Sequence, residues 1–289
     1  MAILVGNDTR LVVQGLTGSE GRFHGLRNRD YGTKLVAGVT PGKGGQDVDG
    51  VPVLDTVADA VSTHGANTSM IFVPAPFAAD AIYEAVDAGV HTVITITEGV
   101  PAHEMLRIHA YIRSRGVRLL GPNCPGALSP GKANVGIIPA EVFQPGSIGL
   151  VSRSGTLTYQ IGNELAQRGL GNSTIVGIGG DPVVGSSFID ILEKFEADPE
   201  TKYVVLVGEI GGDEEEKAAK WVSEHMSTPV FSYIAGFSAP PGKTMGHAGA
   251  IISGSSGTAQ AKKDALEAVG IKVGTTPTEV AELVVAAAS

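Results

Sequence analysis

The fold is indicated by one short stretch, Leu11-Val12-Val13-Gln14-Gly15-Leu16-Thr17-Gly18-Ser19-Glu20-Gly21. It runs from three apolar residues, typical of a buried strand, into a turn with glycines at positions 15, 18 and 21. A helix that starts after such a turn offers free backbone N–H groups and its positive dipole end to an anion. The stretch therefore predicts a strand–turn–helix unit that holds a phosphate group. Its spacing departs from the dinucleotide pattern G-x-G-x-x-G, so the turn alone does not identify the ligand.

Strand-like runs alternate with helical stretches along the whole chain, which is the pattern of parallel sheets built from βαβ units. The predicted strands are 11–13, 35–39, 70–73, 92–96 and 117–120 in the first half, and 148–151, 174–178, 203–207, 229–235 and 271–273 in the second. A Pro- and Gly-rich stretch at about 122–145 separates the two series and is predicted to be a loop-rich connection. The sequence therefore predicts two doubly wound α/β domains of five strands each, over 1–125 and 147–289, joined by a connection over 126–146.

Composition and charge exclude some classes of protein. The 289 residues carry a net charge of -9, whereas a nucleic-acid-binding surface needs an excess of cations. The single cysteine cannot form an internal disulfide, which fits a reducing compartment. No apolar run reaches the roughly 18 residues of a membrane span. We expect a cytoplasmic protein, or a mitochondrial matrix protein in a mature eukaryotic form, without nucleic acid or membrane partners.

A lysine follows the second strand, in Thr40-Pro41-Gly42-Lys43-Gly44-Gly45. An NAD site would have an acidic residue near this point to hold the ribose hydroxyls. Lys43 instead favours a phosphorylated ribose, as in NADP or in coenzyme A, although a solvated lysine in an ordinary glycine-rich turn is the alternative. Two more loops follow strands at Val73-Pro74 and at Ile96-Thr97-Glu98. Ligands bind beyond the carboxyl ends of strands in open α/β sheets, so these loops are predicted to border the same ligand.

Four polar, glycine-rich loops follow successive strands of the second half. They are Ser152-Arg153-Ser154-Gly155-Thr156, Gly179-Gly180-Asp181, Gly208-Glu209-Ile210-Gly211-Gly212 and Gly242-Lys243-Thr244-Met245-Gly246-His247-Ala248-Gly249-Ala250. In a parallel sheet these loops meet at one edge. Ser154, Gly155 and Thr156 open a helix and predict an anion site.

His247 and Glu209 are the candidate catalytic pair at that edge. A carboxylate that binds one ring nitrogen fixes the tautomer and leaves the other nitrogen nucleophilic. A histidine that faces an anion site is thereby suited to transient phosphorylation. The alternatives are an incidental histidine in a flexible loop and a solvated carboxylate.

Two other patterns do not fit a function. Gly236 to Thr244 ends in Gly-Lys-Thr after a strand, but five residues separate its glycines where a P-loop has four. His103 and His109 are six residues apart, which does not place them on one helix face as metal ligands. We therefore expect neither a nucleotide-binding P-loop nor a metal site in this chain.

The ordered motifs resemble those of the α subunits of succinyl-CoA synthetases. They are Gly15-Leu16-Thr17-Gly18-Ser19, Thr40-Pro41-Gly42-Lys43-Gly44-Gly45, Ile94-Thr95-Ile96-Thr97-Glu98-Gly99, Gly121-Pro122-Asn123-Cys124-Pro125-Gly126, Ser152-Arg153-Ser154-Gly155-Thr156-Leu157-Thr158-Tyr159, Gly177-Ile178-Gly179-Gly180-Asp181-Pro182 and Gly246-His247-Ala248-Gly249-Ala250. The resemblance runs nearly end to end. It implies a Rossmann-like CoA-binding domain followed by a flavodoxin-like ligase domain.

The resemblance also implies a role for each motif. His247 would be the phosphorylated histidine and Glu209 its partner. CoA would be held by Thr17, Gly18, Ser19, Glu20, Lys43, Val73, Pro74, Ile96, Thr97 and Glu98. Phosphate and succinate would lie near Asn123, Ser154, Gly155, Thr156 and Tyr159. Glu20 stands where the family more often has glutamine, so its contact with CoA is the least typical of these.

The implied reaction interconverts succinyl-CoA, phosphate and a nucleoside diphosphate with succinate, CoA and the triphosphate. An ATP-grasp β subunit would supply ADP or GDP with Mg²⁺, in an αβ or (αβ)₂ assembly. A sister enzyme such as malate–CoA ligase would have nearly the same motifs. A non-catalytic CoA- or NADP-binding regulator is the alternative of another class, and it would have no use for His247 and Glu209.

Overall fold

The computed structural model describes residues 2–240, 242–252 and 257–288. Within these residues the chain forms two mostly parallel sheets with helices packed against them, which confirms the predicted α/β class. No helix in the described part of the chain is long and apolar enough to cross a membrane.

The first sheet contains β1 (Arg10–Gln14), β2 (Lys34–Val39), β3 (Asp47–Val48), β4 (Val51–Leu54), β5 (Thr68–Ile71), β6 (Thr92–Thr95) and β7 (Arg118–Leu120). Helices α1 (Ser19–Tyr31), α2 (Val57–His64), α3 (Ala75–Asp87) and α4 (Ala102–Arg115) connect them. The strand order is β3-β4-β2-β1-β5-β6-β7, and only the two-residue β3 is antiparallel. The six parallel strands thus have the Rossmann order 3-2-1-4-5-6, with the crevice between β1 and β5.

The second sheet contains β8 (Gly126–Ser129), β9 (Ala133–Gly136), β10 (Pro145–Ser152), β11 (Asn172–Gly177), β12 (Tyr203–Glu209), β13 (Val230–Ala235) and β14 (Lys272–Gly274). Its helices are α5 (Gly155–Gln167), α6 (Phe188–Glu196), α7 (Glu214–His225), α8 (Ala259–Ala268) and α9 (Pro277–Ala288). The strand order is β14-β13-β12-β10-β11-β8-β9. The five parallel strands β10–β14 have the flavodoxin order 2-1-3-4-5, so the crevice lies between β10 and β12.

The ten predicted strands are present, but four short strands were not predicted. Residues 47–48 and 51–54 extend the first sheet, and residues 126–129 and 133–136 form a hairpin at the edge of the second. The prediction of a loop-rich connection is therefore wrong for residues 126–136. Glycines at the hairpin were the misleading signal: a Cβ on Gly126 would lie 2.2 Å from the Val135 carbonyl oxygen, so glycine serves close strand packing here. The domain bounds 1–125 and 147–289 themselves stay a prediction.

Apolar side chains from both sheets pack in one shared cluster. Leu11, Met70 and Ile94 of the first sheet belong to the same cluster as Val151 and Leu206 of the second. Two further clusters fill the outer faces of the sheets. The sheets therefore share a core, and this fixes their carboxyl edges relative to each other.

Buried hydrogen bonds also join the two halves. The Ile3 amide donates to Thr174 Oγ1 at 3.3 Å, and Ser129 Oγ donates to the Val5 carbonyl at 2.8 Å. After α1, the Thr33 hydroxyl donates to the Asn134 carbonyl at 2.8 Å, which anchors the end of that helix on β9. The segment before β1 and the segment after α1 are both attached to the second sheet.

Candidate active site

The glycine turn after β1 forms the first part of the site. Gly15 has φ +88°, and its amide donates to the Val39 carbonyl at 2.8 Å. A Cβ on Gly21 would lie 2.2 Å from the Gly15 carbonyl oxygen, so glycine is required for α1 to start this close to the strand. Gly18, which precedes α1, supplies no side-chain cap. The N–H groups at the start of α1 are thus presented to the Rossmann crevice, where an anion would sit.

Lys43 lies beside this turn. Its Nζ donates to Thr17 Oγ1 at 3.3 Å, and Thr17 Oγ1 donates to Thr40 Oγ1 at 3.1 Å. Lys43 is exposed, so its charge is available to a ligand. A cation thus borders the loop that is suited to a phosphate.

The remaining residues predicted to hold CoA follow neighbouring strands at the same edge. Val73 and Pro74 follow β5, and Ile96, Thr97 and Glu98 follow β6. The Thr97 hydroxyl donates to the Val73 carbonyl at 2.7 Å, which ties these two loops together. Glu20, in the first turn of α1, points to solvent with its side chain 71% exposed. The predicted group therefore extends along one sheet edge.

Asn123, after β7, links the two edges. Its amide N–H donates to the Thr97 carbonyl at 3.0 Å, and its carbonyl accepts the Gly180 amide at 3.3 Å. The side-chain Nδ2 donates to Asp181 Oδ1 at 3.0 Å. The amide group that was predicted to contact phosphate or substrate is thus engaged within the chain. Asn123 connects the loop after β6 to the loop beside His247.

His247 and Glu209 are in direct contact. His247 Nδ1 lies 2.8 Å from Glu209 Oε2. The Glu209 side chain is 8% exposed, whereas that of His247 is 24% exposed. The hydrogen bond to Glu209 raises the pKa of His247, and burial of the ring opposes this rise. Because Nδ1 donates to the carboxylate, the neutral ring carries its lone pair on Nε2, which is the nitrogen left to react.

A buried arginine stands on the other side of Glu209. Arg153 Nε lies 3.6 Å from Glu209 Oε1, and Arg153 Nη2 donates to the Asp181 carbonyl at 2.9 Å. Only 7% of Arg153 is exposed. Its positive charge offsets the buried negative charge of Glu209 and lowers the pKa of His247, against the larger effect of Glu209.

Gly180 provides the surface under the histidine ring. A Cβ at this position would lie 2.2 Å from His247 Cγ, so any side chain here would displace the ring. The histidine loop is closed by its own backbone, since the Ala250 amide donates to the His247 carbonyl at 3.1 Å and the Met245 amide to the Ala250 carbonyl at 2.9 Å. The position of the ring is thus set by its contact with the Gly180 backbone and by the hydrogen bonds within the histidine loop.

The start of α5 is the candidate anion site. The Ser154 hydroxyl accepts the Leu157 amide at 3.3 Å, and the Ser154 amide donates to Ser152 Oγ at 3.0 Å. Ser154 therefore caps the helix, which leaves the next two residues as the candidate donors to the predicted anion. The N–H groups of Gly155 and Thr156 have no acceptor within the described ranges. The Tyr159 hydroxyl lies beside Gly155, and burial raises its pKa to about 12.

Sequence reasoning missed three parts of this site. Arg153, Gly180 and Asp181 stood in the predicted edge loops, but no role was assigned to them. Their only signal in the sequence was their position after predicted strands. No local sequence pattern distinguishes a buried arginine, or a glycine that contacts a histidine ring, from other loop residues. Their contacts with Glu209, His247 and Asn123 are visible only in three dimensions.

Two family models match the chain in order. The model described as CoA binding domain matches residues 6–99, and the model described as CoA-ligase matches residues 151–272. The first match covers β1–β6 of the Rossmann-ordered sheet, and the second runs from the end of β10 to the start of β14.

A solved structure has the same fold over nearly the whole chain. It is ATP citrate lyase from Methanothrix soehngenii, in complex with citrate and coenzyme A, with a TM-score of 0.88 and 24% identity over 99% of this chain and 52% of that one. The chain thus spans about half of that protein. At this identity the likeness shows the fold alone.

Several curated relatives match from end to end. The chain is 60% identical to succinate–CoA ligase [ADP-forming] subunit alpha 2 of Archaeoglobus fulgidus, over 98% of this chain and 99% of that protein. It is 56% identical to the corresponding subunit of Aquifex aeolicus, over 98% and 94%. It is 51% identical to that of Staphylococcus aureus, over 100% and 95%. With these identities along nearly its whole length, the chain belongs to the family of succinate–CoA ligase α subunits.

Proposed function

We propose that this chain is the subunit of a succinate–CoA ligase that binds CoA and carries the phosphoryl group on His247. The observation that carries the proposal is the contact between His247 Nδ1 and the buried Glu209 carboxylate. It leaves Nε2 as the nucleophile and provides a counter-charge for the imidazolium that forms when Nε2 is phosphorylated. The relatives' names supply the reaction class, and the two family models support CoA as the thiol.

The proposed reaction has three reversible steps. Phosphate attacks the thioester carbonyl of succinyl-CoA, the C–S bond breaks, and succinyl phosphate and CoA form. His247 Nε2 then attacks the phosphorus of succinyl phosphate and releases succinate. ADP finally takes the phosphoryl group from His247 and becomes ATP. The chain contributes positioning and electrostatic stabilisation of the moving phosphoryl charge, with Gly155 and Thr156 N–H groups as its anion donors.

The proposed CoA position lies along the carboxyl edge of the first sheet. We place the phosphates at the start of α1 with Thr17, Gly18, Ser19 and Glu20, and the 3′-phosphate of the ribose at Lys43. The pantetheine arm then runs past Val73 and Pro74 to Ile96, Thr97 and Glu98. Support comes from Asn123, which contacts both Thr97 and the Gly180–Asp181 loop. An arm along this edge ends close to His247.

A β subunit of the ATP-grasp class is proposed to supply the nucleotide and Mg²⁺. The Gly236–Thr244 stretch of this chain does not lead into a helix, since Thr244 forms an isolated bridge with Ile251. Phe237, which precedes the histidine loop, and Met245, which lies within it, are apolar side chains that are 43% and 47% exposed. We propose that these two side chains face the β subunit. The relatives' names favour ADP over GDP. The proposed assembly is αβ or (αβ)₂.

The acid is proposed to be succinate, with malate as the substrate of the sister ligase. The cytoplasm, or the mitochondrial matrix for a mature eukaryotic form, is the proposed location. Co-expression with the β partner and assays of succinate against malate, each with ATP and with GTP, decide acid and nucleotide together.

The decisive experiment is phosphoryl labelling of the αβ complex with γ-labelled ATP and Mg²⁺, without CoA or succinate. This chain should take up label that is acid-labile and alkali-stable, as expected for a phosphoramidate. CoA plus succinate should discharge it. His247→Asn should abolish it. Label that survives in this variant, or that maps to Ser154, would refute the proposed role of His247.

A further inference from the structure

A fully buried ion pair lies beneath the end of β12, which carries Glu209. Lys262 of α8 and Glu215 of α7 are in direct contact, and both side chains are 0% exposed. Lys262 Nζ also lies 3.8 Å from Glu216 Oε2. Lysine and glutamate are almost never fully buried without a partner. None of the reaction steps above uses this pair.

The pair binds the backbone on both sides of Ile210. Glu215 Oε1 accepts the Glu209 amide N–H at 3.1 Å, and Lys262 Nζ donates to the Gly211 carbonyl at 2.6 Å. The preceding residue also packs against the pair, since a Cβ on Gly208 would lie 2.6 Å from Glu215 Cγ. The end of β12 and the turn after it are thus held by two buried charges.

The same turn supports the histidine loop. Gly211 has φ +93°, and a Cβ there would lie 2.1 Å from the Gly249 carbonyl oxygen. The Gly211 amide donates to the Gly257 carbonyl at 2.8 Å. A shift of residues 209–211 would therefore move the Glu209 carboxylate and the backbone beside His247 together.

Fold stability alone is a weak reason for such a pair. Removing two charges from water is costly, and apolar residues of similar volume often stabilise a protein equally well or better. We propose that Glu215 is a positioning residue, which holds the backbone of Glu209 so that its carboxylate meets His247 Nδ1, and that Lys262 compensates the buried charge of Glu215. This inference rests on the proposed phosphoryl-accepting role of His247.

The test compares two double variants that both remove the buried charges. Glu215→Gln with Lys262→Met keeps an amide oxygen that can accept the Glu209 N–H, whereas Glu215→Leu with Lys262→Met offers none. Glu215→Asp is a third variant, which keeps both charges but withdraws the carboxylate by one methylene. Three quantities are measured: CoA affinity of the full chain, the pKa of His247 by NMR titration of the full chain, and the initial rate of labelling in the αβ complex.

The leucine–methionine variant should bind CoA as the wild type does, yet be labelled at least about 10-fold more slowly, since a misplacement of about 1 Å can cost roughly 10²-fold. Its His247 pKa should fall, because the Glu209 hydrogen bond weakens. The glutamine–methionine variant should retain most of the rate and the raised His247 pKa.

Three outcomes would overturn the inference. One is a leucine–methionine variant that folds with wild-type rate and His247 pKa. Another is an equal loss in both double variants, which would show that the charges act by themselves. If the leucine–methionine variant does not fold, unchanged values in Glu215→Asp refute the inference. Absence of label in the wild type would instead refute the role of His247, and the NMR titration would still test the positioning.

Discussion

The His247 ring gains a carboxylate partner on folding, and this changes the pH range in which it titrates. Its pKa is raised chiefly by the hydrogen bond to Glu209. The protonated ring therefore stabilises the fold fully below its unfolded pKa of about 6.5, and this contribution is lost as the pH rises through the folded value. Phosphoryl acceptance has the opposite dependence, because only the neutral ring has a lone pair on Nε2.

We predict that labelling of the αβ complex rises with pH through the His247 pKa. In Glu209→Gln the pKa of His247 should fall, so the acid limb of the rate profile should move to lower pH. The plateau should drop on the order of 10²-fold, because the imidazolium that forms loses its counter-charge. Initial labelling rates between pH 5 and pH 9 measure both effects.

Glu224→Gln is the matched control, since Glu224 is exposed on α7. It should reproduce the wild-type profile. An unmoved acid limb in Glu209→Gln would contradict the link between this carboxylate and the His247 pKa.

Cys124 is predicted to be inert despite its place next to Asn123. Only 4% of it is exposed, and burial raises the pKa of its thiol to about 12. The reactive thiolate is therefore scarce at neutral pH. Native chain should react slowly with iodoacetamide at pH 7.5 and rapidly once unfolded, as followed by mass spectrometry. Cys124→Ser should keep substantial ligase activity, and loss to the level of His247→Asn would show that the thiol takes part in the chemistry.

At the residue scale, the sequence predicts the positions of functional side chains that follow strands. It does not predict which side chains are buried beneath those strand ends. His247 and Glu209 each come at the end of a recognisable strand, and the strand-end rule for parallel sheets brings them together. Lys262 lies within an ordinary helical pattern. Its complete burial depends on packing between α7 and α8, which no local spacing reveals.

At the element scale, the turn after β2 should decide the choice of ligand. Lys43 Nζ contacts the Thr17 hydroxyl of the glycine turn and is otherwise exposed. We predict by calorimetry that CoA binds more tightly than dephospho-CoA, because only CoA has the 3′-phosphate. Lys43→Ala should remove most of this difference.

Lys34→Ala is a suitable control at the other end of β2, where Lys34 Nζ donates to the Asn7 carbonyl. It should leave the difference intact. Equal binding of both ligands by the wild-type chain, or tight binding of NAD, would contradict the assignment of this turn to CoA.

Elements with long apolar runs are predictable from the sequence, and short ones are not. Strands such as β10 and β12 have seven or eight residues with continuous buried segments. The β8–β9 hairpin has four residues in each strand and glycines where its backbones meet, so its local pattern is that of a loop. Its strand character comes from pairing with β11, which lies more than forty positions further along the chain.

At the scale of the whole molecule, we predict that the chain unfolds in one transition. The shared apolar cluster and the contacts of Thr33 with Asn134 join the two sheets. Unfolding of one sheet would therefore expose apolar surface of the other, so the two should unfold together. Differential scanning calorimetry should show a single peak, and CoA at 100 times its Kd should stabilise the whole chain by about 2.7 kcal/mol. Two peaks, of which only one responds to CoA, would show that the halves unfold independently.

The two domain folds were predictable in class because β and α segments alternate twice along the chain. Their strand orders were available only through the resemblance to a family, since alternation alone does not order the strands. How the two sheets join was not predictable, because the connecting hydrogen bonds involve residues more than a hundred positions apart.

The attachment of the first residues to the second sheet has a consequence for synthesis on the ribosome. Ile3 is made before its partner Thr174, which follows 171 positions later. At about 5–20 residues per second, that interval is roughly 9 to 34 s. Ser129, the partner of Val5, comes 124 positions after it. A nascent chain that has reached only residue 125 thus contains every strand of the first sheet but lacks these partners, and its apolar surface stays open until the second half emerges.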